Sequence, residues 1–303
     1  MPVILKFLRV CGRHGRMLLV LGLLGGFALP AVAEAMRPWL PYMVAFLVFV
    51  SALRIGAQEA LGKLSDARAN LGRVLALQLG LPLGVIATLW ALGALSSPFA
   101  VGALLALAAP SISGSPAFTA LMGHDPAPAM RLLILGTALL PLTVIPLFAL
   151  MPAFGGLTAV IWAALKLTAV ILLAASAAFW LRARAFPRPG AETTQALDGL
   201  AALTLAVIVI GLMSAVGPAL RSDPAALLPW LALVFALNFG MQLLARALGA
   251  DVATSVVAGN RNVALFLVAL PAEIITPLLL FIGCYQIPMY LTPLVMKPLY
   301  ART

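Results

Sequence analysis

The apolar residues of this chain are gathered into long runs joined by short polar connections. The runs fall at about 17–35, 41–55, 74–91, 99–109 with a continuation to 122, and 130–150. A second set follows at about 157–181, 197–216, 225–244, 252–270 with an interruption, and 274–296. A helix that spans a bilayer takes about 20 mostly apolar residues, so the pattern predicts an all-α polytopic membrane protein of ten transmembrane helices, five plus five. The expected organisation is a single membrane domain over residues 1–303, with one half at about 17–150 and the other at about 157–300.

Composition agrees. The chain is 63% apolar and 9% charged with a mean hydropathy of +1.12, whereas soluble proteins are roughly half apolar and a quarter charged. The lipid bilayer is therefore its first partner. The net charge of +10 raises the possibility of nucleic acid, but the basic residues are spread between the runs and form no patch with aromatics. Nucleic-acid binding is excluded on that ground. Topology accounts for the charge: with both ends cytoplasmic, fifteen of the 19 Lys and Arg fall inside, Arg37 and Arg221 fall outside, and Lys166 and Arg261 lie within the membrane. This is the asymmetry of the positive-inside rule, and it predicts a multi-pass protein of a plasma (inner) membrane. The first run also imitates a secretory signal, with basic residues before a short apolar stretch and Ala31-Val32-Ala33 ahead of Glu34.

The two halves carry matching punctuation. Pro82 and Pro229, Gly136 and Gly283, Pro141 and Pro288, and Pro146 and Pro293 are each 147 positions apart. Five helices per half is an odd number, so a second copy enters the membrane from the opposite side, and the repeats are expected to be inverted. The fourth run breaks at Pro110-Ser111-Ile112-Ser113-Gly114-Ser115-Pro116 and the ninth at Ala258-Gly259-Asn260-Arg261-Asn262, with Ser113 and Asn260 at the same 147-residue offset. Prolines remove backbone donors and end regular helix. Non-helical backbone at membrane depth survives only inside protein or beside a water-filled cavity, and paired interruptions in two halves point to a transporter binding site. The candidate substrate-binding residues are Ser111, Ser113, Gly114, Ser115, Pro116, Gly259, Asn260, Arg261 and Asn262, with Lys166 and Asn238 as further polar positions at depth. The structural alternative is that small residues allow close helix packing and prolines merely kink a helix.

Arg261 stands out. A guanidinium at mid-bilayer is costly unless paired or facing a cavity, and neither broken segment holds Asp or Glu. Its partner is then either freed backbone carbonyl or an anionic substrate. Gln78 and Gln242 are polar positions on the third and eighth runs, and His124-Asp125 reads as a loop cap after the fourth. Two cysteines, Cys11 and Cys284, and two histidines support neither a disulfide framework nor a metal site, and no catalytic constellation is evident. No cofactor or enzymatic activity is expected.

At the two interruptions the chain resembles the bile acid:sodium symporter superfamily. Residues 110–116 occupy the place of that family's Pro-Gly-Gly-Thr-Ala-Ser-Asn stretch, and Gly259-Asn260-Arg261-Asn262 is similar to the end of its Glu-x-Gly-x-Gln-Asn stretch. The resemblance implies ten helices as inverted five-helix repeats, crossed broken helices four and nine, and a cleft between a core of helices three to five and eight to ten and a panel of the other four. It also implies a cation site, of which Gln78, Ser115 and Asn262 are the remnant. Pro116 stands where the family has asparagine, Val257 where it has the sodium-binding glutamate, Arg261 where it has glutamine, and Ala129 and Leu133 in place of fifth-helix hydroxyls. The pocket has thus lost a carboxylate and gained a fixed charge. The expectation is a secondary transporter for a small organic anion, with Arg261 as a tethered cation in place of sodium. The alternatives are a sodium-coupled symporter, an auxin-carrier-like protein, a metalloid exporter and a non-transporting scaffold or sensor. A cleft reaching Arg261 and Lys166 favours transport, and Arg261 sealed and bonded internally favours the scaffold.

Overall fold

The computed structural model describes residues 2–62 and 67–301; Lys63 and Arg302, counted above among the inside charges, lie outside them. The described chain is helical. Helices α1 (Pro2–Arg13) and α2 (Gly15–Ala28) are followed by α3 (Pro30–Met36), α4 (Leu40–Ile55) and α5 (Ala57–Gly62). Next come α6 (Ala67–Leu75) and α7 (Leu81–Ala91), joined by a π-turn at Ala76–Gly80, then α8 (Pro98–Ala108), α9 (Ser115–Leu121) and α10 (Ala127–Ala149). The second half holds α11 (Leu157–Ala185), α12 (Ala191–Leu212), α13 (Val216–Ser222), and α14 (Leu227–Phe235) joined to α15 (Met241–Ala247) by a π-turn at Ala236–Gly240. It ends with α16 (Val252–Gly259), a 3-10 stretch at Val263–Val268, α17 (Ala272–Ile275), α18 (Leu279–Val295) and α19 (Lys297–Tyr300).

Where ten runs are expected, seven helical spans among the described residues are long and apolar enough to cross a membrane, beginning with Pro30–Ile55 and ending with Ala272–Val295. Local chemistry accounts for the difference. Leu29, which precedes Pro30, leaves the helical region at φ −120° and ψ 62° and separates the short apolar helix Met17–Ala28 from the next span. Pro98–Ala108 stays short because Ala109, before Pro110, is extended at ψ 151°. In the ninth run α16 ends without proline: Asn260 leaves the helical region at φ −105° and ψ 89°, and its N–H and side chain both donate to Val256 O, at 3.0 and 2.8 Å.

The helices pack as two groups. In one, α1 and α2 run along α12, and α4 packs on α11 and α12. The contact with α12 is made by glycine: a Cβ at Gly12 would strike Gln195 O, at Gly22 the Ala206 backbone, and at Gly26 the Met213 side chain. Backbones approach this closely only where side chains are missing, which is how helices associate in lipid without a hydrophobic driving force. The other group holds α6 to α10 and α14 to α18. The groups meet where α10 lies on α11 and where Val263–Val268 lies on α4. Among the described residues, the ion pairs Arg9–Glu192 at 2.6 Å, Arg73–Asp251 at 3.6 Å and Arg54–Asp198 join helix ends on the side expected to be cytoplasmic.

Candidate functional site

The two interruptions meet. Residues on either side of Ser111 and Arg261 form an isolated antiparallel bridge, in which Ile112 N–H donates to Asn260 O at 3.1 Å and Asn262 N–H donates to Pro110 O at 2.8 Å. Each segment thus satisfies backbone groups that the other's broken helix leaves open, as the bilayer interior requires. Capping residues set where the helices leading in begin: Ser97 accepts from Ala100 N–H at 3.1 Å ahead of α8, and Asp251 accepts from Thr254 N–H at 2.7 Å ahead of α16.

Arg261 is 2% exposed, and its guanidinium donates to Leu77 O at 2.8 Å. That carbonyl is available for a local reason. In the π-turn Leu81 N–H bonds to Ala76 O rather than to Leu77 O, and the next residue, Pro82, has no N–H to offer. Among the described residues no carboxylate pairs with Arg261, and its Nε has no hydrogen-bond partner. The charge is buried behind the crossing, held by one carbonyl.

The remaining candidates separate into three kinds. Ser113 and Asn262 are partly exposed, and neither side chain hydrogen-bonds to another described residue. Both line a cavity of about 410 Å³ between the two helix groups, whose walls come from Val48 and Ser51 on α4, from Thr137 and Pro141 on α10, and from Thr168 and Ile171 on α11. Both also border a recess of about 30 Å³ that Arg261, Gln286 and Leu212 help to line. Gly114 is partly exposed beside them but lines neither space.

The second kind is internal. Ser111 donates to Ser115 Oγ at 2.8 Å, Gln78 donates to Gly136 O at 3.2 Å, and Asn238 donates to Gly259 O at 2.6 Å and to Asn260 Oδ1 at 3.2 Å. Pro116, Gly259 and Asn260 are buried. A Cβ at Gly259 would strike Asn238 O, so this glycine sets the spacing of α16 against the second π-turn and presents nothing to a solute.

Lys166 is the third kind and corrects an expectation. It is exposed on the outer face of α11, away from the cavity. Trp162 and Trp180, each 61% exposed, are 18 residues apart (180 − 162) on the same helix. At about 1.5 Å per residue they are roughly 27 Å apart, close to the hydrocarbon thickness of about 30 Å, and mark the two interfaces. Lys166 lies one turn inside Trp162, and helical side chains lean towards the N-terminus, so its ammonium reaches back to that interface. It is an anchor.

Positions that the family resemblance reserves for cation ligands form an apolar cluster: Ala129 and Val257 are buried with Val74, Leu132 and Ala253. Asp125 caps α10 through Ala127 N–H at 3.0 Å, as its place in the sequence suggests. Both cysteines are free and buried, and among the described residues no three metal-binding side chains cluster. Gln286, which is 4% exposed and borders the recess, escapes sequence reading because a single glutamine in an apolar run has no distinguishing neighbour.

No family model matches the chain and no curated protein matches it. Fold and site together define a multi-pass, all-α membrane protein with transporter-like features: broken helices that cross, and a cavity that reaches the crossing.

Proposed function

We propose that the chain is a secondary transporter that moves a small organic anion by alternating access. In this reading it crosses the membrane ten times as two inverted five-helix repeats, and the group of α6 to α10 and α14 to α18 rocks as a core against a panel made by the other group. The observation that carries the proposal is the cavity of about 410 Å³ between the two groups, with Ser113 and Asn262 of the crossing at its wall. The local symmetry of the crossing supports inverted repeats, because the bond from Ile112 to Asn260 is answered by the bond from Asn262 to Pro110.

Arg261 has the role of a tethered cation. Its bond to Leu77 O places a permanent charge where freed carbonyl needs one, and the apolar packing of Val257 and Ala129 leaves no carboxylate or hydroxyl there for sodium. The solute then meets Ser113 and Asn262 directly and feels Arg261 through the wall, so the carrier works without a sodium gradient. A mostly apolar cavity also calls for a solute with an apolar body and one polar end.

The test is a thermal-shift screen of the purified protein in nanodiscs against organic anions, with sodium and with choline. Hits are followed by uptake into proteoliposomes. Stabilisation and uptake that are equal in both salts, and weakened in Asn262→Ala, support the reading; uptake that needs sodium refutes it. One observation favours a second reading. Arg261 is almost fully buried and bonded internally, as in a membrane scaffold that keeps the fold without turnover, and a protein that binds a solute but never releases it across the bilayer would decide for that role.

A further inference from the structure

The polar groups beneath the crossing form a directed chain that begins at the C-terminal turn. Tyr300, 2% exposed, donates from its hydroxyl to Gln242 Oε1 at 3.2 Å. Gln242 Nε2 donates to Asn238 Oδ1 at 2.9 Å and to Thr292 Oγ1 at 3.2 Å. Asn238 Nδ2 then donates to Gly259 O and Asn260 Oδ1, and Asn260 holds the crossing through its carbonyl, which accepts Ile112 N–H at 3.1 Å. Gln242, Asn238, Thr292 and Asn260 are completely buried.

A side-chain amide has an acceptor end and a donor end, and it can sit either way round unless its partners dictate. Gly259 O is a backbone carbonyl and can only accept, so Asn238 turns Nδ2 to it and Oδ1 to Gln242 Nε2, which leaves Gln242 Oε1 in need of a donor. Tyr300 supplies that donor at the end of the chain, so its hydroxyl completes a direction that the backbone carbonyl sets. Burial moves the Tyr300 hydroxyl's pKa above its ordinary value, with Arg246 partly opposing, so it keeps this proton at neutral pH. The ring is seated among Ile112, Phe118, Met122, Val252 and Met296, which brings the C-terminal turn against both interrupted helices.

We propose that Tyr300 is a positioning residue for the crossing: its hydroxyl supplies the donor that Gln242 Oε1 needs and thereby holds the Gln242–Asn238–Asn260 chain where Asn260 pairs with Ile112. The C-terminal turn is then a control point for the site, which a change at residues 297–300 can loosen without touching the cavity. This inference concerns the geometry of the crossing and does not depend on which solute is carried, or on transport at all.

Hydrogen exchange read by mass spectrometry tests it on the full-length protein in nanodiscs without any solute. Tyr300→Phe keeps the ring and its packing and removes only the donor. Peptides covering Ile112 and Asn262 are expected to exchange roughly threefold to tenfold faster, the size of losing one buried hydrogen bond, while peptides from α4 and α11 exchange as in the wild type. Gln242→Leu, which cuts the chain one step higher, is expected to reproduce that pattern. Met296→Ala removes packing and leaves the hydroxyl. If Met296→Ala speeds exchange at the crossing and Tyr300→Phe does not, the turn acts by packing alone and the proposal is overturned. Unchanged exchange in all three variants overturns it equally.

Discussion

Replacing Arg261 by methionine removes the charge and keeps most of the length. The side chain's bond to Leu77 O at 2.8 Å is charge-assisted, and such bonds contribute about 1.5–3 kcal/mol. Nothing in α7 replaces it, since Leu81 N–H is used by Ala76 O and Pro82 has no donor. Against this loss stands the cost of the buried guanidinium itself, about 2.5–3.5 kcal/mol at the centre of a membrane helix. The two nearly cancel, so stability in choline chloride should change by about 1 kcal/mol or less. The informative effect is on cations. The single carbonyl freed there has no carboxylate or hydroxyl beside it, too few ligands for sodium, so the variant should gain no sodium site. Thermal unfolding is measured in sodium, potassium and choline chlorides at equal ionic strength. The wild type and Arg261→Met are each expected to melt at one temperature in all three. Sodium-specific stabilisation of the wild type would refute the tethered-cation role, as would an Arg261→Met variant that loses about 4 kcal/mol or more in every salt, because the arginine would then be an irreplaceable strut.

Asn262→Ala removes an amide that faces the cavity without a partner among the described residues, and solute affinity should fall about 2- to 10-fold for one lost hydrogen bond with the melting temperature unchanged; titration by thermal shift reads both. Gly259→Ala places a methyl against Asn238 O, which as backbone cannot yield. The variant should lose about 1–3 kcal/mol and lose transport in proportion, and normal stability in a denaturation curve would show that α16 has room to move. Lys166→Leu should leave solute affinity and transport rate at wild-type values, since the ammonium lies on the outer face of α11; loss of uptake in a correctly inserted variant would restore Lys166 to the site.

Membrane character and the place of the site can be read from residue order alone, because each rests on local chemistry. Apolar runs of helix-spanning length have one solvent, and Pro110 and the polar cluster at 258–262 stand where α8 and α16 end. The repeat offset is readable only in part. The bridge pairs Ser111 with Arg261, 150 positions apart (261 − 111), and the two π-turns begin at Ala76 and Ala236, 160 apart (236 − 76), whereas the proline matches give 147. Pro82 follows its π-turn and Pro229 precedes its own, so that pair is not an equivalence in space. The matched prolines mark no breaks, since Pro141, Pro146, Pro288 and Pro293 lie inside α10 and α18, and a proline match carries no count of the residues between elements. The role of Lys166 is misread from sequence for a related reason. Depth follows from position in a run, but the face a residue presents depends on packing partners that periodicity leaves open when every face of the helix is apolar.

The same limit governs Arg261, and the structure resolves it by a single-residue argument. In a helix, neighbouring side chains differ in direction by about 100°, so residues 259–262 would spread around the axis with only Gly259 and Asn262 near one face. Paired extended backbone alternates instead. Asn262 faces the large cavity while Arg261 faces α6 and α7, where Leu77 receives it. Arg261 borders the small recess and not the large cavity, so a solute held in the cavity would meet its charge through the wall. Unit charges about 8 Å apart interact by about 2 kcal/mol at an effective dielectric of about 20, enough to prefer an anion over its neutral isostere by about 30-fold. A carboxylate solute and its primary amide should thus differ by that factor in the wild type and bind alike in Arg261→Met. Equal affinity in the wild type would mean that Arg261 is neutralised in place, and with it the anion preference would fall.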